Sequence, residues 1–277
     1  MIDMGSLRIG CALWTLGATP DVATLRRNME VVAEIGCTSV QPWIVNFEYT
    51  PCILDPEVGT ARDRREVVRA AEELGLTFSG FCAQLKGAVT YGGLEEEDGL
   101  EWRIAKTKQA ITTAAELGGP VVTTHAGIMP EDVTAPTYQT LLRSVGEIAR
   151  HAEGEGVFLA LETGQEKAED LLQFVETVGN PYLKVNYDPC NLMQFGSRED
   201  TIAGVEVLKD HIVHTHAKDW NPETRRATCG QGLVPWDEYI AALQAIGYNG
   251  VYAIEDETGA EDMLGSIRES YAFLTRY

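Results

Sequence analysis

The run VFLALE at residues 157–162 decides how this chain is read, because five apolar residues lead into one carboxylate, Glu162. Three later runs repeat the pattern: LKVNYD ends on Asp188, IVHTH on His216 and VYAIE on Glu255. The spacing is that of one strand plus one helix. Side chains alternate along a strand, so Phe158, Ala160 and Glu162 share a face, as do Ile212, His214 and His216, and Val251, Ala253 and Glu255. An ionisable group at the end of a core strand is costly to desolvate without a partner. Three carboxylates and one imidazole, brought together by parallel strands, suit one divalent metal. Hard oxygen ligands with a single imidazole favour Mn²⁺, with Mg²⁺, Co²⁺ or Zn²⁺ as alternatives.

Working outward from these runs, apolar strands alternate with helical patterns eight times. The earlier strands read LRIGCALW from 7, TSVQPW from 38, TFSGFCAQ from 77 and PVVTTHAG from 120. Helical patterns are predicted over Val22–Ile35 and near 60–75, 101–117, 166–178, 199–209, 235–246 and 260–275. Gly36, Gly75, Gly118 and Gly156 stand where left-handed helix caps precede strands. With 277 residues, close to the roughly 250 of a typical barrel, the chain is expected to be a single-domain (β/α)8 TIM barrel over residues 1–277. The longest irregular stretches, 44–59, 84–99, 189–198 and 218–234, all follow strands. They therefore crowd the C-terminal face, where barrels carry their sites.

Composition narrows the function. A net charge of −20, from 42 acidic against 22 basic residues, repels phosphodiester backbones and argues against nucleic acid as a partner. The start MIDMGSLRIG lacks a basic and then apolar leader, and no stretch approaches the ~20 apolar residues of a membrane span. The expectation is a soluble, cytoplasmic protein. Cys11, Cys37, Cys52, Cys82, Cys190 and Cys229 are scattered singly, which reads as free thiols in a reducing compartment. No glycine-rich phosphate loop occurs, so a nucleotide cofactor is not expected.

The segments LALETGQE at 159–166, NYDPCNL at 186–192, HTHAKD at 214–219, CGQGLVPWDEY at 229–239 and GYNGVYAIEDE at 247–257 carry a resemblance to a known family. Over nearly its whole length the chain resembles the sugar phosphate isomerase/epimerase group, the xylose isomerase-like barrels. The resemblance implies metal ligands at Glu162, Asp188, His216 and Glu255, with Glu162 and Glu255 as the acid/base pair. A divalent cation can hold the oxygens of an enediolate while one carboxylate takes a proton and the other returns it. The expected activity is a metal-dependent isomerase or epimerase acting on a small sugar or polyol-derived carbonyl compound. Ketose 3-epimerases of the family carry a histidine three residues after the metal aspartate and an arginine six after the metal histidine. Here those positions hold Asn191 and Pro222, which weighs against ketose 3-epimerisation, although Arg225 or Arg226 can substitute in the same loop.

Other candidates surround this set. His125 ends the fourth strand within reach of a substrate hydroxyl or a second metal, and His214 lies one layer below His216. Lys218 and Asp219 can contact substrate or pair with each other, and Glu257 sits just above Glu255. Trp14, Trp43, Trp220 and Trp236 fall near strand ends, where flat rings suit a sugar face, and Gln84 and Lys86 can bind hydroxyl or phosphate groups. The candidate substrate-binding set is thus His125, Asn191, His214, Lys218, Trp14, Gln84 and Arg225. The first rival activity is a lyase or dehydratase using the same site on an inosose or keto-glycoside. An endonuclease-IV-like phosphodiesterase needs more histidines than His125, His151, His211, His214 and His216 supply. A silent sugar-binding subunit is the third alternative, and a homo-oligomer is expected, as such barrels pair through outer helices.

Overall fold

The structure, a computed structural model, describes residues 6–46, 50–85 and 91–277. Nine parallel strand segments follow in chain order: β1 Arg8–Ala12, β2 Ser39–Gln41, β3 Thr77–Phe78, β4 Phe81–Cys82, β5 Val121–Thr124, β6 Phe158–Glu162, β7 Leu183–Tyr187, β8 Ile212–Ala217 and β9 Val251–Ile254. In the sheet β1 lies between β2 and β9, and from β9 the order descends to β4. β3 and β4 are one barrel strand interrupted at Ser79–Gly80. On one side Ser79 N donates to Val40 O at 2.9 Å and Cys82 N to Pro42 O at 3.0 Å, and on the other Ala83 N donates to Thr123 O at 2.9 Å. The ring therefore closes through this broken strand, and nine segments fill the eight positions of a (β/α)8 barrel.

The helices are α1 Val22–Ile35, α2 Ala61–Glu73, α3 Leu100–Glu116, α4 Pro136–Glu155, α5 Ala168–Val178, α6 Pro189–Phe195, α7 Arg198–Val207, α8 Trp236–Ala245 and α9 Met263–Leu274. Local chemistry sets their ends. Asp21 caps α1 by accepting from Thr24 N at 2.7 Å, and Gly36 closes it in the left-handed region at φ 114°. At α2 the side chains of Thr60 and Asp63 form a reciprocal capping box. All four glycines expected to cap helices take positive φ. One expectation needs correction: the stretch 189–198 is not irregular throughout, since it contains α6. Pro189 fits the first helical position, where no N–H is required, and the Asp188 side chain caps the helix.

Strands and inner helix faces form one continuous apolar core, within which Tyr187 and Tyr239 stack at 5.8 Å between centroids. All six cysteines are buried and free. No helix among the described residues is long and apolar enough to cross a membrane.

Candidate metal centre

The four runs deliver their terminal groups to one point. Glu162 is the last residue of β6, Asp188 follows β7, His216 lies in β8 and Glu255 follows β9. One ligand atom from each lies within 4.8 Å of the others, and all four residues are buried. Each is oriented by a neighbour. His216 Nε2 lies 2.9 Å from Gln41 Oε1, and Gln41 Nε2 donates to Thr123 Oγ1 at 2.9 Å. His216 Nδ1 is thereby left facing Glu255 Oε2 at 3.0 Å, Glu162 Oε1 at 3.5 Å and Asp188 Oδ2 at 3.7 Å.

Asp188 divides its oxygens between two tasks. Oδ1 accepts from Cys190 N at 2.8 Å and Asn191 N at 3.1 Å, capping α6. Oδ2 is buried without a hydrogen-bond partner among the described residues, and Lys218 Nζ stands 3.6 Å away. A buried carboxylate oxygen left without a hydrogen bond is expensive, so a cation at this point fits the donors present. Charge agrees, because three carboxylates balance one dication and the Lys218 ammonium. Asp188, Glu162, Glu255 and His216 Nδ1 could hold a metal ion.

Glu162 is held at both oxygens. Asn191 Nδ2 donates to Oε1 at 3.0 Å, His125 Nε2 lies 3.3 Å from the same oxygen, and Asn186 Nδ2 donates to Oε2 at 3.1 Å. The Asn186 amide is oriented in turn by His214 Nδ1, 2.8 Å from its Oδ1. Across the ring, Trp14 Nε1 donates to Glu255 Oε1 at 3.1 Å and Lys218 Nζ to Glu255 Oε2 at 2.9 Å.

Burial pushes the Glu162 carboxyl up, but His125 and His216 outweigh it and hold the group well below the usual carboxylate range. Burial likewise opposes the charge of Glu255, and Lys218 and His216 prevail, bringing it to about 2. Asp188 goes the other way: burial lifts it above its ordinary value despite Lys218. Burial lowers His216, yet Glu255 and Glu162 raise it well above the ordinary imidazole range. Beneath it, burial and the charge of His216 push His214 down to about 3, so His214 is neutral.

A cavity of about 680 Å³ opens beside this cluster, lined by Gln84, His125, Glu162, Asn191 and Arg226 among others. Glu162 is the member of the cluster that reaches it. The expected substrate contacts separate accordingly. Gln84, His125 and Asn191 border the cavity; Trp14 and Lys218 stand on the Glu255 side, with Lys218 also bound to Glu257 at 2.6 Å. His214 lies below, between Asn186 and Ser79 Oγ, and does not border the cavity. Arg225 is exposed with φ 66° and does not line the cavity; Arg226 takes that place, donating to Gln194 Oε1 and Glu257 Oε2 at 2.8 Å. Lys86 lies outside the described residues.

Asp219 does not pair with Lys218. Its carboxylate gathers the N–H groups of Trp220, Gly230, Gly232 and Val234 and the Trp236 indole, at 2.8 to 3.0 Å. It therefore pins the long loop after β8, and Trp236 serves that loop instead of a sugar. Trp43 packs edge-on against Trp14 at 5.4 Å. Gln41 and Asn186, which aim His216 and Glu162, escaped the sequence reading. Their only signal was an amide at or near the C-terminal end of a short strand.

Residues 29–277 match the family model described as xylose isomerase-like TIM barrel. Over 126 residues the chain is 30% identical to D-psicose 3-epimerase of Ruminiclostridium cellulolyticum, covering 43% of this chain and 41% of that protein. Over 184 residues it is 24% identical to inosose isomerase of Bacillus velezensis, covering 61% and 64% respectively. Both alignments span less than two thirds of the relative. Among solved structures, a xylose isomerase domain protein from Planctomyces limnophilus is similar at TM-score 0.78 and 25% identity, covering 98% of this chain and 97% of that one.

Proposed function

Because this chain belongs to the xylose isomerase-like TIM barrel family, we propose that it isomerises or epimerises a small polyhydroxy carbonyl compound by proton transfer at a metal held by Glu162, Asp188, His216 and Glu255. The single observation carrying this reading is Asp188 Oδ2, buried without a hydrogen bond among three other donors, beside a cavity that Glu162 borders. Mn²⁺ is the ion the donor set suits first. When bound, such a cation supplies positive charge that holds the oxygens of a carbonyl and its neighbouring hydroxyl.

The chain's own groups then divide the proton work. Glu162 is kept ionised by His125 and His216 and fixed by Asn191 and Asn186, which suits it to take the proton from the carbon beside the carbonyl. The C–H pair becomes the carbon–carbon double bond and the carbonyl π pair moves onto oxygen, giving an enediolate. Return of the proton by Glu162 at the neighbouring carbon, with the hydroxyl proton passing to the former carbonyl oxygen, gives an isomer. A different proton, passed from the Lys218 ammonium through Glu255, three strands further round the ring, to the opposite face of the carbon that lost its proton gives an epimer, with Glu162 keeping the proton it took. Trp14 and Lys218 hold Glu255 for that step. Asn191 spends its amide on Glu162 and on Thr163 O at 3.0 Å, which weighs against its replacing the histidine of a ketose 3-epimerase.

The test is incubation with Mn²⁺ in D₂O against ketoses, aldoses, inososes and 3-keto-glycosides, followed by NMR. Deuterium beside a carbonyl is the expected result. A new alkene or a released alcohol identifies the lyase instead, and no exchange on any compound overturns proton transfer.

A further inference from the structure

The cavity is larger and less polar than a monosaccharide requires. Its volume of about 680 Å³ lies within the roughly 300–1,000 Å³ of pockets that enclose drug-sized ligands. It is also off-centre: its walls come from the loops after β5 and β6 and from α6, so it extends from Glu162 away from Glu255. Ile128 and Met129 lie in the loop after β5, and Phe195 ends α6 after β7, the two strands that flank β6 in the ring. Ile128 is 55% exposed and Phe195 47%, which places two large apolar side chains in solvent beside the site. Solvent-facing apolar groups on a cavity wall mark a surface that a ligand covers.

The charged groups lining the same wall do not suit a phosphate. Arg226 is already engaged by Glu257 and Gln194, and Glu131, Glu166 and Asp170 line the cavity together with one other cation, Lys167. A phosphorylated end would meet three carboxylates against one occupied guanidinium and one ammonium.

Building on the proton-transfer reading, we propose that the substrate is a non-phosphorylated keto-glycoside, its keto-sugar ring at the metal centre and an apolar or aromatic substituent lodged between Ile128, Met129 and Phe195. The polar floor of His125, Gln84 and Asn191 would face the ring hydroxyls, and the apolar wall would cover the appended group.

Binding is measured by calorimetry on the metal-loaded chain, with 1,5-anhydroglucitol, methyl glucoside and phenyl glucoside as probes that carry no carbonyl group and do not react. Phenyl glucoside is expected to bind at least tenfold more tightly than methyl glucoside, and Phe195→Ala and Ile128→Ser are each expected to erase most of that preference. Equal affinity for the three probes, or a preference untouched by both substitutions, overturns the proposal. The binding result is separable from the chemistry. Exchange on free sugars without a phenyl preference leaves proton transfer standing and removes the annex, whereas a phenyl preference with no exchange on any carbonyl compound removes proton transfer and keeps the annex.

Discussion

Gln41 on β2 accepts from His216 Nε2 on β8 at 2.9 Å, and this bond turns the other imidazole nitrogen toward all three carboxylates of the cluster. Such outer partners set tautomer and ring orientation, and their loss typically costs about 10–100-fold in metal affinity. Gln41→Ala is therefore expected to weaken Mn²⁺ binding by that order while far-UV circular dichroism stays that of the parent. Unchanged affinity by calorimetry would show that His216 needs no such support.

Asp188→Asn separates capping from metal binding. The Asn Oδ1 can still accept from Cys190 N and Asn191 N, while the charge on the unbonded Oδ2 disappears. The metal-free variant is expected to melt at or above the parent temperature. The parent gains about 2.7 kcal/mol when free metal reaches a hundred times Kd, and the variant should gain almost none. A metal-induced rise in Tm equal to that of the parent would remove Asp188 from the ligand set.

Glu162→Gln and Glu255→Gln keep size and one accepting oxygen but remove the base. Each is expected to lower solvent-proton exchange at least 10²–10⁴-fold, the usual contribution of a positioned acid or base. Exchange at parental rate in either variant contradicts its role.

The reach of the sequence reading followed what local patterns encode. Val22–Ile35 was legible to its ends because Asp21 and Gly36 are local signals. The four grouped side chains, Glu162, Asp188, His216 and Glu255, were legible because each stands at the end of a largely apolar run. α6 was not, since seven residues carry too little periodicity and Asp-Pro reads equally as a turn. The break at Ser79–Gly80 becomes visible only through pairing with both neighbouring strands. Arg225 and Arg226 are adjacent, and which of them lines the cavity is settled by partners distant in sequence, Gln194 and Glu257, that hold Arg226. Gln41 reaches His216 across 175 positions of sequence, a contact that closure of the barrel creates and no local pattern records.

Asp219 concentrates the stability of the loop after β8. Replacing it with Ala leaves four backbone N–H groups and the Trp236 indole without their acceptor. Hydrogen bonds to a charged group are worth about 1.5–3 kcal/mol each before relaxation, so Asp219→Ala should cost about 3 kcal/mol or more. Asp219→Asn should recover part of this. A loss below about 1 kcal/mol in urea titration would show that the loop holds itself.

Alkaline pH tests the buried thiols. Burial pushes Cys37 from 9.0 up to about 12 and Cys52 up to about 11. Both folded values lie above the unfolded one, so the stability contributed by the neutral thiols is full below pH 9 and is lost as pH rises toward the folded values. The parent is expected to be more stable than Cys37→Ala at pH 8, with the gap narrowing by about 2–3 kcal/mol by pH 11. Comparing the two chains cancels the other groups that titrate in this range. Denaturation midpoints across this window decide the matter, and a gap independent of pH would mean that Cys37 ionises in the folded chain as readily as in the unfolded one.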